Sequence, residues 1–191
     1  MSIPFKPQRC PHCKKKMDAG LRIHPACIDD YAQAQAAKSA RASAKRALMA
    51  AKVDKALTRQ KRESLKSKAQ WAKEAQSAFN AFIRERDADQ PCISCGRWHA
   101  GQYHAGHYLS VGARPELRFT ESNVHKQCAP CNTHLSGNAV LFRRGLVAKL
   151  GLELVEWLEG PHEPRRDTVD SLKAIKAHYT TLTKQLREIQ A

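Results

Sequence analysis

The chain has 191 residues, and 33 Lys and Arg against 18 Asp and Glu give it a formal net charge of +15. No apolar run approaches the ~20 residues a membrane-spanning helix requires, and an aromatic content of 6% argues against one large buried core. That leaves one or two small domains whose default partner, on charge alone, is nucleic acid.

Near the start, Cys10-x-x-Cys13 is followed by His24-x-x-Cys27, with Pro11, Gly20 and Pro25 supplying turns. Three thiols and an imidazole at this spacing predict a small zinc knuckle over residues 1–30, stabilised largely by its ion. No signal peptide opens the sequence, so a reducing cytosol is expected, where such pairs mean metal rather than disulfide. A purely structural role and a clip on DNA or a partner protein both fit this knuckle.

Neither Gly nor Pro occurs from Ala26 through Gln90, and Ala, Lys, Arg and Gln dominate. One long helix, broken at most once, is predicted to form an arm over residues 31–70. Its apolar residues Leu48, Met49, Val53, Leu57 and Leu65 mark only a narrow seam. Between Lys38 and Lys73 the acids are Asp54 and Glu63 alone, so the arm repels itself unless phosphates neutralise it. Arg41, Lys45, Arg46, Lys52, Arg59 and Arg62 are the candidate phosphate contacts, a solvated face being the alternative.

From Trp71 the pattern changes: Trp71, Ala75, Ala78, Phe79, Phe82 and Ile83 fall at helical spacing and predict an apolar stripe docked on the next module. That module holds Cys92-x-x-Cys95 and Cys128-x-x-Cys131, the ligand set of a closed tetrahedral structural zinc site. Between the pairs a β-hairpin and loop should carry His104 and His107, with Asn123 and Asn132 as further polar groups. On these residues alone, a catalytic centre and a purely structural zinc ribbon both remain open. Arg114, Arg118 and Lys126 flank the site and are candidates to grip phosphates, a generic surface charge being the alternative for each. Beyond Asn138, VLFRRGLVAKLG and LELVEWLEG read as two helices, and Pro161 and Pro164 mark a linker. In the tail, Leu172, Ile175, Tyr179, Leu182, Leu186 and Ile189 form a heptad seam, suited either to the long helix or to a homodimeric coiled coil. The predicted fold class is mainly α with a small α+β zinc core, a long basic N-terminal helix and C-terminal helices.

The segments NAFIRERDADQPCISCG, AGHY, LRF, NVHKQCAPCN and SGN resemble the NinG (Rap) recombination proteins of lambdoid phages. These are nucleases of the HNH, or ββα-metal, type on a zinc-bound treble clef. The resemblance implies a nuclease domain over residues 71–160 and a C-terminal helix over 161–191 available for dimerisation. It implies structure-specific, metal-dependent cleavage of Holliday junctions and D-loops in a bacterial host's cytoplasm. Other phage or host recombination proteins would be partners. It makes His107 the general base, Asn132 a ligand of a catalytic Mg²⁺ or Mn²⁺, and Asn123 the brace of the histidine loop. His104 stands where relatives commonly carry an Asp ligand, and an imidazole shifts the preference towards Mn²⁺ and softer ions. A homodimer matches the two-fold symmetry of a four-way junction. The alternative is a non-catalytic, zinc-containing DNA-binding accessory protein.

Overall fold

The structure is a computed structural model that describes residues 9–18 and 20–190. It divides into two compact units, with the boundary between Leu65 and Lys66.

In the first unit, Arg9 and Lys16 pair across a tight turn in which Lys14 N–H donates to Cys10 O at 3.0 Å. A short turn at Pro25–Cys27 leads into helix α1, Ile28–Ser64. At 37 residues α1 is about 55 Å long. Asp29 and Asp30 in its first turn and Lys61 and Arg62 in its last carry the signs the helix dipole favours at each end. No side chain of α1 is buried; Leu48 and Val53 are 66% and 60% exposed. Intrinsic propensity and backbone hydrogen bonds hold this helix, and tertiary packing does not.

The second unit opens with α2, Lys68–Arg86, started by a capping box at Ser67. The Ser67 hydroxyl accepts from Gln70 N–H at 3.3 Å, and Ser67 N–H donates to Gln70 Oε1 at 2.8 Å. The interruption predicted in the Gly- and Pro-free stretch therefore falls at residues 65–67. Strands β1 (Tyr103–His107) and β2 (Val124–Cys128) pair antiparallel, with Tyr103 opposite Cys128 and His107 opposite Val124. Helices α3 (Ala139–Leu150), α4 (Leu152–Glu159) and α5 (Val169–Gln190) follow.

Two apolar clusters hold this unit. In one, Trp71, Ala75, Phe79, Phe82 and Ile83 of α2 pack with Phe119, Val124, Leu172 and Tyr179. Phe79 is the hub, edge-on to Tyr179 at 4.8 Å and to Phe119 at 5.7 Å between ring centroids. In the other, Phe142 and Leu146 of α3 meet Val155 and Leu158 of α4 and Leu117. The α5 heptad seam docks on α2 of its own unit, a partner that neither of the two alternatives for the seam named; Leu172 is 1% and Tyr179 8% exposed. This covers most of the seam on which a coiled-coil dimer would form; Ile189 at its end stays 82% exposed. Gly145 lets α3 approach the first knuckle of this unit, since a Cβ there would lie 2.0 Å from Ile93 O. Among the described residues, no helix is long and apolar enough to cross a membrane.

Candidate metal centres and histidine strand

All seven cysteines are free thiols, and all fall into two clusters. In the first, ligand atoms of Cys10, Cys13, His24 and Cys27 lie within 4.8 Å of one another. His24 Nδ1 lies 3.2 Å from Cys13 Sγ, and His24 Nε2 lies 3.1 Å from Lys16 O. A carbonyl only accepts, so Nε2 carries the proton and the Nδ1 lone pair faces the thiols, the arrangement a ligating imidazole needs. Burial works against charge on Cys10, but N–H groups of His24, Cys13 and His12 aimed at its sulfur bring that thiol down to about 6. Cys27 is pushed up to about 11, by burial and by the neighbouring sulfurs.

The second cluster joins Cys92, Cys95, Cys128 and Cys131 across the hairpin. Cys128 N–H donates to Cys92 Sγ at 3.4 Å, and Asn138 Nδ2 donates to Cys131 Sγ at 3.5 Å. Burial raises Cys128 to about 12, whereas backbone N–H groups of Cys95, Cys128 and Ser94 overcome burial at Cys92 and lower it. Both donor sets fit structural zinc, four soft or borderline ligands closing on one point. His99, which the sequence did not single out, places Nε2 3.3 Å from Cys95 Sγ.

The histidines sit on β1, where successive side chains alternate between faces. His104 and Gly106 share one face; Tyr103, Ala105 and His107 share the other. On the first face His104 Nδ1 lies 3.1 Å from Asn132 Nδ2. Asn132 belongs to the single turn Pro130–His134 and not to α3, which begins at Ala139. In its contact with His104, Asn132 Nδ2–H donates to the Nδ1 lone pair. A divalent ion such as Mn²⁺, its remaining positions filled by water and phosphate, would replace that hydrogen bond, held by the imidazole nitrogen and the amide oxygen.

On the opposite face His107 Nε2 lies 3.1 Å from Arg118 O, so it carries the proton, and the Nδ1 lone pair has no hydrogen-bond partner among the described residues. Burial lowers the pKa of His107, outweighing the carbonyl contact, and keeps the ring neutral at pH 7. Asn123 is 0% exposed: its Oδ1 accepts from Leu109 N–H at 2.9 Å, and its Nδ2 donates to Leu109 O at 3.0 Å and Leu117 O at 3.3 Å. It thereby ties off the long connection between the strands. The structure brings His104 and Asn132 together and sets His107 on the other side of the same strand.

Three candidate phosphate contacts are also engaged inside the fold. Arg114 pairs with Glu116 and donates to the carbonyls of Glu159 and Gly160. Arg118 donates to Gln76 Oε1 at 2.8 Å and to Ala72 O at 3.3 Å. Lys126 is 6% exposed, donates to Ala88 O at 2.6 Å and lies 4.4 Å over the Tyr103 ring. On α1, by contrast, Arg41, Lys45, Arg46, Lys52, Arg59 and Arg62 are all exposed. Among the described residues, the one ion pair that any of these six makes is Arg59 with Glu63, at 3.5 Å.

Asp87 went unread in the sequence and is the electrostatic hub of this unit. It is 3% exposed and accepts from Arg86 at 3.0 and 2.8 Å, Lys149 at 3.2 Å and Lys126 N–H at 3.1 Å. Burial pushes its carboxyl up, but hydrogen bonds from His125 and Arg86, with the Arg86 charge, hold it far below the usual carboxylate range.

Fold and clusters together define a mainly helical protein with a small two-stranded sheet and two Cys/His clusters suggesting two structural zinc sites. The family described as Bacteriophage Lambda NinG protein matches residues 3–189, and the chain belongs to that family. It is 51% identical to protein ninG of Escherichia phage lambda over 124 residues, 65% of this chain and 61% of that protein. It is 50% identical to protein ninG of Salmonella phage P22 over 125 residues, 65% and 62% of the two chains. The match thus spans about three fifths of the length of these relatives. No solved structure matches the chain.

Proposed function

We propose that this chain is a metal-dependent endonuclease of branched DNA, acting on four-way junctions and D-loops during phage recombination in the host cytoplasm. Two copies would cut the opposed strands of a junction. The observation that carries this reading is the state of His107: a neutral imidazole with Nε2–H fixed on Arg118 O and Nδ1 without a hydrogen-bond partner among the described residues. A base in that state takes a proton from water without first losing one of its own. Asn123 fixes the loop that supplies the Arg118 carbonyl, so ring and tautomer are set before substrate arrives. His104 and Asn132 would hold the divalent ion, which supplies charge neutralisation at the phosphate and the departing oxygen. The exposed cations of α1 contribute sequence-independent affinity for the DNA backbone.

One observation favours a second reading, a non-catalytic zinc protein that binds DNA. Strand alternation puts His107 and the His104–Asn132 pair on opposite faces, so a scissile phosphate must reach both around the unpaired edge of β1. Cleavage of a synthetic four-way junction, a three-strand D-loop and a linear duplex, with and without Mn²⁺ or Mg²⁺, separates the two. The nuclease reading expects ion-dependent nicking of the branched substrates. His107→Ala should lower the rate roughly 10²–10⁴-fold while the gel shift stays unchanged. No nicking by the wild-type chain with either ion leaves the accessory reading.

A further inference from the structure

Gln127 lies on β2 opposite His104 and is 0% exposed. Its Nε2 donates to Gly137 O at 2.6 Å and to Ser94 Oγ at 2.7 Å. Because the Gly137 carbonyl cannot donate, the amide has one orientation, and its Oε1 points the other way. That oxygen is buried and has no hydrogen-bond partner among the described residues. A buried amide oxygen without a donor or cation costs roughly 1–3 kcal/mol, so its direction marks a place where a positive group is missing. It points to the space over Gly106: a Cβ built there would lie 2.2 Å from Gln127 Oε1 and 3.1 Å from Asn132 Oδ1. With Asn132 Nδ2 turned to His104, two amide oxygens approach the same spot with their negative ends. Oxygens so placed repel unless something positive lies between them or beside both. The bare Cα of Gly106 is what leaves room for the Gln127 side chain to bring its oxygen there.

We infer that Gln127 Oε1 is a third donor of the divalent-ion site, beside His104 and Asn132. The inference rests on the nuclease reading for its ion. It makes that site an imidazole nitrogen with two neutral amide oxygens, a set without formal charge that leaves the phosphate as the anionic ligand. Such a set binds the ion weakly until DNA arrives.

The test reads Mn²⁺ binding by EPR on the full, zinc-loaded chain without DNA, so turnover does not enter. The wild-type chain should bind one Mn²⁺ beyond its zinc, and Asn132→Ala should weaken that binding. Gln127→Met, which keeps length and removes the oxygen, should weaken it about ten- to a hundred-fold with zinc content and far-UV CD unchanged. Wild-type affinity in Gln127→Met, with weakened binding in Asn132→Ala, overturns this inference alone. Asn132 would then donate its amide N–H to Gln127 Oε1 and present only its own oxygen to the ion. A wild-type chain that binds no Mn²⁺ overturns the ion site of the nuclease reading as well. If Gln127→Met fails the zinc or CD check, the Gln127 side-chain amide signals of the wild-type chain decide. Mn²⁺ should broaden them at the concentration that broadens the His104 ring, and sharp signals there overturn the inference.

Discussion

Helices α1 and α2 lie three residues apart in one Gly- and Pro-free stretch and are stabilised in opposite ways. α1 buries no side chain over 37 residues, whereas α2 buries Trp71, Ala75, Phe79, Phe82 and Ile83 within 19. The difference lies in apolar spacing rather than helix propensity, since both draw on Ala, Lys, Arg and Gln. A stripe at intervals of three and four recruits α5 and the sheet; isolated apolar residues on a charged rod recruit nothing.

Removing metal should break this contrast most severely. Apparent binding energies of structural zinc run to about 10–16 kcal/mol. Chelation, or Cys128→Ser, should therefore abolish the near-UV CD and the cooperative denaturant transition of the second unit. The far-UV helical signal of α1 should survive, because α1 buries no side chain that the transition could release. Next comes a matched pair. Phe79→Ala should cost about 3–5 kcal/mol in denaturant unfolding, whereas Val53→Ala should stay within about 0.5 kcal/mol.

Acid sharpens the contrast further. Burial lowers His107 and His125, so the folded state holds fewer protons there, and stability erodes as pH falls below about 6.5. Asp87 is held down as well, and its contribution, full above about pH 4, is lost as pH drops below that. A two-step acid decline should appear in the near-UV signal of the second unit. The smallest effect belongs to α1 and concerns DNA alone. Replacing Arg41, Lys45 and Arg46 with Gln should leave unfolding unchanged. In duplex binding it should flatten the log–log salt slope by about 0.9 for each phosphate that is no longer neutralised.

What the sequence made legible was local. Ligand pairs three residues apart announce a knuckle whatever surrounds them, so both clusters and all eight of their ligands could be read directly. The helix boundaries around Gly151, Pro161 and Pro164 were equally plain, being set by residues with restricted or permissive backbones. The break at residues 65–67 was written in Ser67 and Gln70, a capping box that neither Gly nor Pro marks. Long-range pairing was not legible. A heptad seam states that α5 has a partner but does not name α2, and Arg118 gives no hint that Gln76 will receive it, 42 residues away. Asp87 had no signal at all, since Lys126 and Lys149 reach it from 39 and 62 residues further on. In the candidate site, residue types were readable but faces were not. The three-residue gap between His104 and His107 means one thing on a helix and the reverse on a strand.

The uniform exposure of α1 has a calorimetric consequence. A rod that buries no side chain melts by fraying and re-nucleating along its own length, so its loss of structure is gradual. A heating scan of this protein should show one sharp endotherm from the second unit, on a broad, sloping baseline from the rod, whose far-UV ellipticity, followed separately, should decline gradually with no matching peak.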